Sequence, residues 1–130
     1  VLDAIEPLVD LFLFDVKVAD PARHAALTGA DNGPILRNLA TLARRCPDRL
    51  VARLPLVPGC TDGDNPAAVA ALAADLGVRR AAIVPGHGLG AGKWADLGRA
   101  CPREVVPPAP AAIEAAIAAF VVRGIACEES

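Results

Sequence analysis

The sequence predicts an α/β fold with parallel strands, in the form of a partial TIM-like (β/α) barrel. Apolar segments of strand length alternate with capped helical segments at a repeat of about 30–40 residues, which is typical of strands joined by crossover helices. Three or four strands are too few to close a barrel, and a parallel sheet this small leaves long edges unpaired. Apolar residues make up 54% of the 130 residues, which is high for a free-standing domain. We therefore expect residues 1–130 to form one domain that belongs to a larger barrel.

The first strand is predicted between Val9 and Lys17, where the chain is apolar on both faces before it meets two charges. Asp20 and Pro21 then supply an N-cap and a proline in the first helical turn, and Gly29 ends this short helix. A second helix is expected to begin near residues 32–34, because apolar residues follow at helical spacing.

Proline and glycine mark the ends of the remaining predicted elements. In chain order, these elements are a strand over Leu50–Val57, a helix over Ala67–Leu76, a strand over Ala81–Val84, a glycine-rich loop over Pro85–Gly92, a helix over Pro110–Val122 and a short strand over Ile125–Cys127.

Composition argues against several classes of function. The net charge of −2 gives no basic surface for nucleic acid or for anionic lipid, and with three Phe, one Trp and no Tyr a base-stacking platform is not expected. The least polar stretch, residues 109–122, is shorter than the ~20 residues that cross a bilayer. No secretory signal pattern is present at the start. We expect a cytoplasmic protein that binds neither nucleic acid nor membrane.

The four cysteines, Cys46, Cys60, Cys101 and Cys127, are far apart in sequence. None forms a CxxC-type pair with another, so the sequence does not predict a metal or redox site from them. We expect ordinary thiols.

Charged side chains follow the predicted strands at the edge where parallel sheets gather functional groups. Asp15 and Lys17 are two residues apart and therefore share one face, where they would bind a zwitterion or small cation or form a structural ion pair. Arg53 lies in an apolar strand, so its guanidinium needs a partner, either a ligand carboxylate or an acidic side chain such as Asp15. His87 follows the third strand in a loop that matches neither the Walker pattern nor GxGxxG. The other histidine, His24, lies on the short predicted helix after Pro21, and we expect its imidazole to be solvated.

These residues lie in motifs that resemble the glycyl-radical-activating branch of the radical SAM enzymes, typified by pyruvate formate-lyase activating enzyme. The motifs cover nearly the whole chain. In order, they are Asp10-Leu11-Phe12-Leu13-Phe14-Asp15-Val16-Lys17, Asp20-Pro21-(x)2-His24-(x)2-Leu27-Thr28-Gly29, Asn32-(x)2-Ile35-Leu36-(x)-Asn38-Leu39, Arg53-Leu54-Pro55-Leu56-Val57-Pro58-Gly59-(x)2-Asp62 and Val84-Pro85-(x)-His87-(x)-Leu89-Gly90-(x)2-Lys93-Trp94-(x)2-Leu97-Gly98.

The resemblance implies that the chain is the C-terminal half of a radical SAM (β/α)6 barrel, whose N-terminal half carries a CxxxCxxC loop for a [4Fe–4S] cluster. It also implies a set of cofactor contacts in this chain. Lys17 would contact the methionine carboxylate of S-adenosyl-L-methionine, and Asp15 with the backbone carbonyl of Leu13 would coordinate a monovalent cation. The other implied cofactor-binding residues are Arg53 and His87, which line the cofactor site, and Pro55 and Val84, which touch the adenine.

The implied reaction is reductive cleavage of S-adenosyl-L-methionine to a 5′-deoxyadenosyl radical, which takes hydrogen from a glycine of a partner glycyl-radical enzyme. A flavodoxin- or ferredoxin-type protein would donate the electron. No residue of this chain is implied to be catalytic, and the type of partner enzyme stays open.

The sequence departs from the family pattern in two respects. Gly86 replaces the aromatic residue that often precedes the histidine, and the CxxxCxxC motif does not occur. We therefore expect the chain to be a fragment or a split subunit that is inactive alone. Two alternatives stay open: a barrel lyase that forms a Schiff base on Lys17, and a non-catalytic remnant or accessory subunit.

Overall fold

The computed structural model describes residues 1–88, 94, 96–99 and 105–130. Within these residues, four strands form one parallel sheet in the order β1-β2-β3-β4, and the predicted parallel α/β fold is confirmed. The strands are β1 (Phe12–Asp15), β2 (Leu50–Leu56), β3 (Arg80–Pro85) and β4 (Ala126–Glu129). The helices are α1 (Leu2–Ile5), α2 (Pro21–Thr28), α3 (Gly33–Arg45), α4 (Asn65–Asp75) and α5 (Pro110–Val121), with 3-10 turns at Glu6–Leu8 and Pro47–Arg49.

The observed elements differ from the predicted ones mainly at their ends. The strand β1 ends at Asp15, so Lys17 lies in the connection to α2. The helix α4 begins at Asn65, two residues before the predicted start, because Pro66 is compatible with its first turn. The helix α1 was not predicted. Of the predicted motifs, Leu89, Gly90 and Lys93 lie outside the described residues.

One face of the sheet carries the hydrophobic core. The helices α3, α4 and α5 pack their buried residues against this face. Phe12 and Phe14 of β1 lie on the same face and pack against the core. Leu39, Leu54 and Phe120 are each at most 1% exposed. The apolar side chains that the sequence places at strand and helix periodicity therefore account for the core.

The opposite face of the sheet is not part of this core. Side chains alternate along each strand, so Leu13 and Asp15 point away from Phe12 and Phe14, and both are exposed. Arg53 and Pro55 of β2 and Val84 of β3 are half-buried on the same side. We call this side, made by Leu13, Asp15, Val51, Arg53, Pro55, Ala82, Val84, Ala126 and Glu128, the open face.

Two arginine side chains connect the first helical turns to α3 and to the 3-10 turn that follows it. Arg45 contacts Asp3 at 2.5 Å and Glu6 at 3.2 Å, and Arg49 donates to the Val9 backbone carbonyl at 2.5 Å. Because such exposed pairs contribute little stability, their main effect is to set how the chain enters β1. No helix in the described part of the chain is long and apolar enough to cross a membrane.

Candidate functional site

The carboxyl end of β1 brings two predicted site residues into direct contact. Asp15 and Arg53 are register partners across the parallel strands β1 and β2, so their side chains leave the sheet on the same face. Arg53 donates from Nε and Nη2 to Asp15 Oδ1, at 2.8 and 2.7 Å. Of the two partners proposed for Arg53, the structure shows the acidic side chain. The pair is partly exposed, so solvent weakens it.

Lys17 lies two residues beyond β1 and its side chain is exposed. Val16 and Val18 on either side of it are buried, at 2% and 1% exposure. Among the described residues no ion pair involves Lys17, and Asp15 pairs with Arg53 instead. An exposed ammonium group two residues after Asp15 is suited to bind the carboxylate of a ligand.

Pro55 and Val84 are neighbours on the open face. They are register partners across β2 and β3, and both are half-buried. Together they form a small apolar surface beside Arg53. An apolar wall next to a few fixed polar groups is the usual lining of a site for an organic ligand.

His87 is exposed two residues after the end of β3. Its position is set by Gly86, whose amide donates to the Leu56 carbonyl at 2.8 Å and continues the pairing of β3 with β2. A Cβ atom at Gly86 would lie 3.0 Å from Val57 Cγ2 and 3.2 Å from Val105 Cγ1. Close packing therefore disfavours a larger residue at this position, since the neighbouring groups would have to move by a few tenths of an ångström.

The backbone carbonyl of Leu13 is the predicted second ligand of the cation. The Val16 amide donates to the Arg53 carbonyl at 2.8 Å, and the N–H and C=O groups of successive residues in a strand point to opposite sides. The Leu13 carbonyl consequently points to the outer edge of β1, away from β2. It lies on the same strand as Asp15, whose carboxylate is two residues further on.

Two buried asparagines beside this edge were not identified as functional from the sequence. Asn32 and Asn65 are 2% and 3% exposed, and both donate to backbone carbonyls between Lys17 and Ala19. The available signal was that each asparagine stands within two residues of a proline at a helix start. Such a pattern was interpreted only as a helix boundary.

His24 corrects an expectation. The short helix that contains it predicted a solvated imidazole, but His24 is only 4% exposed. Its Nδ1 lies 2.8 Å from the Ala30 carbonyl and 3.1 Å from the Thr28 hydroxyl. These contacts hold the ring against the turn that follows α2.

The described cysteines take no part in a group of three or more His, Cys, Asp or Glu side chains that could hold a metal. Cys46 and Cys127 are free thiols, and Cys101 lies outside the described residues.

Cys127 is expected to react slowly with alkylating agents. Burial raises the pKa of its thiol to about 11, so at pH 8 only about one thousandth is the reactive thiolate. Because the folded thiol holds its proton above the ordinary value of 9.0, folding stability from this group is kept below that pH and lost as the pH rises towards 11. Mass spectrometry of iodoacetamide-treated chain should show Cys127 labelled much more slowly in the folded chain than in urea. Equal rates in both states would contradict this assignment.

Two concave spaces in the described part of the chain lie beside the predicted site residues. A cavity of about 230 Å³ is lined by Val51, Arg80, Ala81, Ala126, Cys127 and Glu128, at the start of β3 and β4. A second, of about 280 Å³, lies between α4 and α5. Among the described residues, the predicted site residues Asp15, Lys17, Arg53, Pro55, Val84 and His87 line neither of these two spaces.

The chain is similar in sequence to several activating enzymes. The chain is 35% identical over 128 residues to the indoleacetate decarboxylase activating enzyme of Tractidigestivibacter scatoligenes, covering 97% of this chain and 41% of that protein. It is 38% identical over 98 residues to the isethionate sulfite-lyase activating enzyme of Nitratidesulfovibrio vulgaris, covering 74% and 32%. It is 32% identical over 140 residues to the benzylsuccinate synthase activating enzyme of Thauera aromatica, covering 96% and 41%. The chain thus spans less than half the length of these relatives.

The fold is also shared with a solved structure. A domain of a pyruvate-formate lyase-activating enzyme from Bacteroides vulgatus superposes with a TM-score of 0.77 at 20% identity, covering 99% of this chain and 72% of that one. No protein-family model matches the chain.

Proposed function

We propose that this chain, which belongs to the radical SAM family of activating enzymes for glycyl-radical enzymes, supplies one part of the S-adenosyl-L-methionine site of such an enzyme. The observation that carries the proposal is the shared location of the candidate residues. Asp15, Arg53, Pro55 and Val84 lie on the open face, and Lys17 and His87 follow at its carboxyl edge. We further propose that the chain is the C-terminal portion of the longer enzyme.

The residues fit the cofactor by their chemistry. S-adenosyl-L-methionine carries a carboxylate at one end and an adenine at the other, and when bound it supplies the radical chemistry. The exposed ammonium of Lys17 would bind the carboxylate, and the apolar surface of Pro55 and Val84 would support the adenine. The His87 imidazole would hydrogen-bond to the adenosine. Arg53 would act by holding Asp15 beside Lys17.

A monovalent cation also fits, with one restriction. Among the described residues, both bonds from Arg53 go to Asp15 Oδ1, which leaves Oδ2 for a cation. The Leu13 carbonyl at the outer edge of β1 would be a second ligand. Since the guanidinium lies against Oδ1, its positive charge opposes a cation on that side, so the cation would bind on the side facing the outer edge.

An iron–sulfur cluster does not fit the described residues, which hold no suitable group of ligands. We therefore assign no step of the reaction to a cluster in this chain. The CxxxCxxC ligands would belong to another segment of the longer protein or to a separate subunit, and the chain alone would be inactive.

The relatives act on different enzymes, so the proposed partner is the class of glycyl-radical enzymes and not one member. The electron would come from a flavodoxin- or ferredoxin-type donor in the cytoplasm. Of the two alternatives, the Schiff-base lyase is disfavoured because such a lysine is activated by burial and Lys17 is exposed. The non-catalytic accessory subunit is the second candidate, and the following experiment distinguishes it.

The test is to co-express the chain with the cluster-bearing segment of an activating enzyme and to measure S-adenosyl-L-methionine binding by equilibrium dialysis. The purified chain alone is the control, and it should bind weakly or not at all because it offers only part of the site. Tight binding by the assembly but not by either part supports the proposal. Binding by the cluster-bearing segment that this chain leaves unchanged would favour the accessory role.

A further inference from the structure

We infer that Asn32 and Asn65 are positioning residues that lock the backbone of residues 17–19 and thereby place the Lys17 ammonium. The inference rests on the proposed function, because it concerns the same ligand site. It goes beyond that proposal by giving a role to two buried residues that are not part of the open face.

Asn65 makes three hydrogen bonds around the Lys17 segment. Its Nδ2 donates to the Lys17 carbonyl at 2.9 Å and to the Thr61 carbonyl at 3.0 Å, while its Oδ1 accepts from the Ala19 amide at 3.1 Å. One side chain at the start of α4 therefore ties the connection after β1 to the connection after β2. Because the amide is buried, no water competes for these bonds.

Asn32, at the start of α3, binds the same segment. We call the side-chain amides of Asn32 and Asn65 together the clamp. Its Nδ2 donates to the Val18 carbonyl at 3.1 Å and to the Ala19 carbonyl at 3.0 Å. Its Oδ1 is buried and has no hydrogen-bond partner among the described residues. A buried acceptor without a partner costs stability, so a side chain kept only for packing would be better apolar. The position is explained by the carbonyls that Asn32 holds.

The segment needs such partners because regular structure does not supply them. β1 ends at Asp15, the Val16 amide makes the last bond to β2, and α2 begins at Pro21. Buried backbone groups between these points must find partners elsewhere. The buried side chains of Val16 and Val18 anchor the segment to the core. The side-chain amides of Asn32 and Asn65 bind its backbone carbonyls. Lys17 is then the side chain that the locked turn directs outwards.

Further hydrogen bonds hold the loop that precedes Asn65. Thr61 donates to the Pro55 carbonyl at 2.5 Å and accepts from the Val57 amide at 2.8 Å, which fixes the loop before Asn65. Arg23 of α2 donates to the Cys60 carbonyl at 2.8 Å and to Asp64 at 3.2 Å. Asn65 and Arg23 therefore both hold the segment from Lys17 to α2 against the connection that follows β2.

The first test measures the clamp without any ligand. Asn65→Leu and Asn32→Leu are compared with Asn38→Leu, which changes an exposed asparagine of α3. Amide hydrogen exchange at Ala19 should become about tenfold faster in both clamp variants, since each loses two or more bonds to the segment. Exchange in β2 should stay unchanged, which separates local loosening from unfolding. Unchanged exchange at Ala19 would overturn the inference.

The second test measures the ligand site in the co-expressed assembly. Asn32→Leu is the decisive variant, since it also removes the unpartnered oxygen and should fold. Its dissociation constant for S-adenosyl-L-methionine should rise about tenfold, and that of Asn38→Leu should not change. Faster exchange at Ala19 with unchanged affinity would overturn the positioning role. A wild-type assembly that binds no S-adenosyl-L-methionine would refute the proposed function and the positioning role, while the exchange data would still decide the clamp.

Discussion

Replacing Lys17 with methionine should raise the dissociation constant for S-adenosyl-L-methionine by about 10- to 150-fold in the co-expressed assembly. Methionine keeps most of the apolar stem and removes the ammonium group. A hydrogen bond to a charged group is worth about 1.5–3 kcal/mol, and the ligand carboxylate would lose its charged partner as well. The measurement is equilibrium dialysis with labelled cofactor.

Arg44→Met is the matched control for Lys17→Met. Arg44 is an exposed cation on α3, in the layer of helices that covers the other side of the sheet. Its replacement removes the same charge and should leave the affinity unchanged. If Arg53→Met weakens binding and Lys17→Met does not, the guanidinium and not the ammonium binds the carboxylate, and the assignment of Lys17 is wrong.

Replacing Phe120 with alanine should lower the free energy of unfolding by about 3–5 kcal/mol, because it removes a large side chain from a close-packed core. Phe120 is 1% exposed and lies on α5, which packs against β3 and β4. That loss is a large part of the ~5–15 kcal/mol typical of a domain. Urea unfolding of the chain, followed by circular dichroism, measures it.

Val122→Ala provides the comparison for Phe120→Ala. Val122 follows α5 and is 79% exposed, so its truncation should change stability by less than about 0.5 kcal/mol. Similar losses for the two variants would show that α5 does not pack on the sheet in solution.

Much of the fold follows from local sequence patterns. The apolar run before Asp15 correctly predicted a strand, although β1 is an edge strand whose Leu13 face is exposed rather than buried. Proline and glycine marked the helix ends to within about two residues. The excess of apolar residues over what a small domain needs predicted that some surface would be left without a core, and the exposed Leu13 on the open face agrees with this. Local patterns were sufficient because strand and helix periodicity determine which face of each element is apolar.

The site was only partly predictable, because its bonds join distant parts of the sequence. The pairing of Arg53 with Asp15 spans 38 residues, and two alternatives for Arg53 were indistinguishable until the register of β1 and β2 was known. The bond from Asn65 to the Lys17 carbonyl spans 48 residues. His24 was wrongly expected to be solvated, since nothing in its own helix reveals the Ala30 carbonyl that buries it. Roles of the site residues toward the cofactor stay predictions.

A crystal structure of the co-expressed assembly with S-adenosyl-L-methionine bound tests the central claim most directly. The measured quantity is the distance between Lys17 Nζ and the nearest oxygen of the ligand carboxylate. We expect hydrogen-bonding contact, with the adenine against Pro55 and Val84. A ligand bound away from the open face, or a carboxylate held entirely by residues of the other segment, would contradict the account.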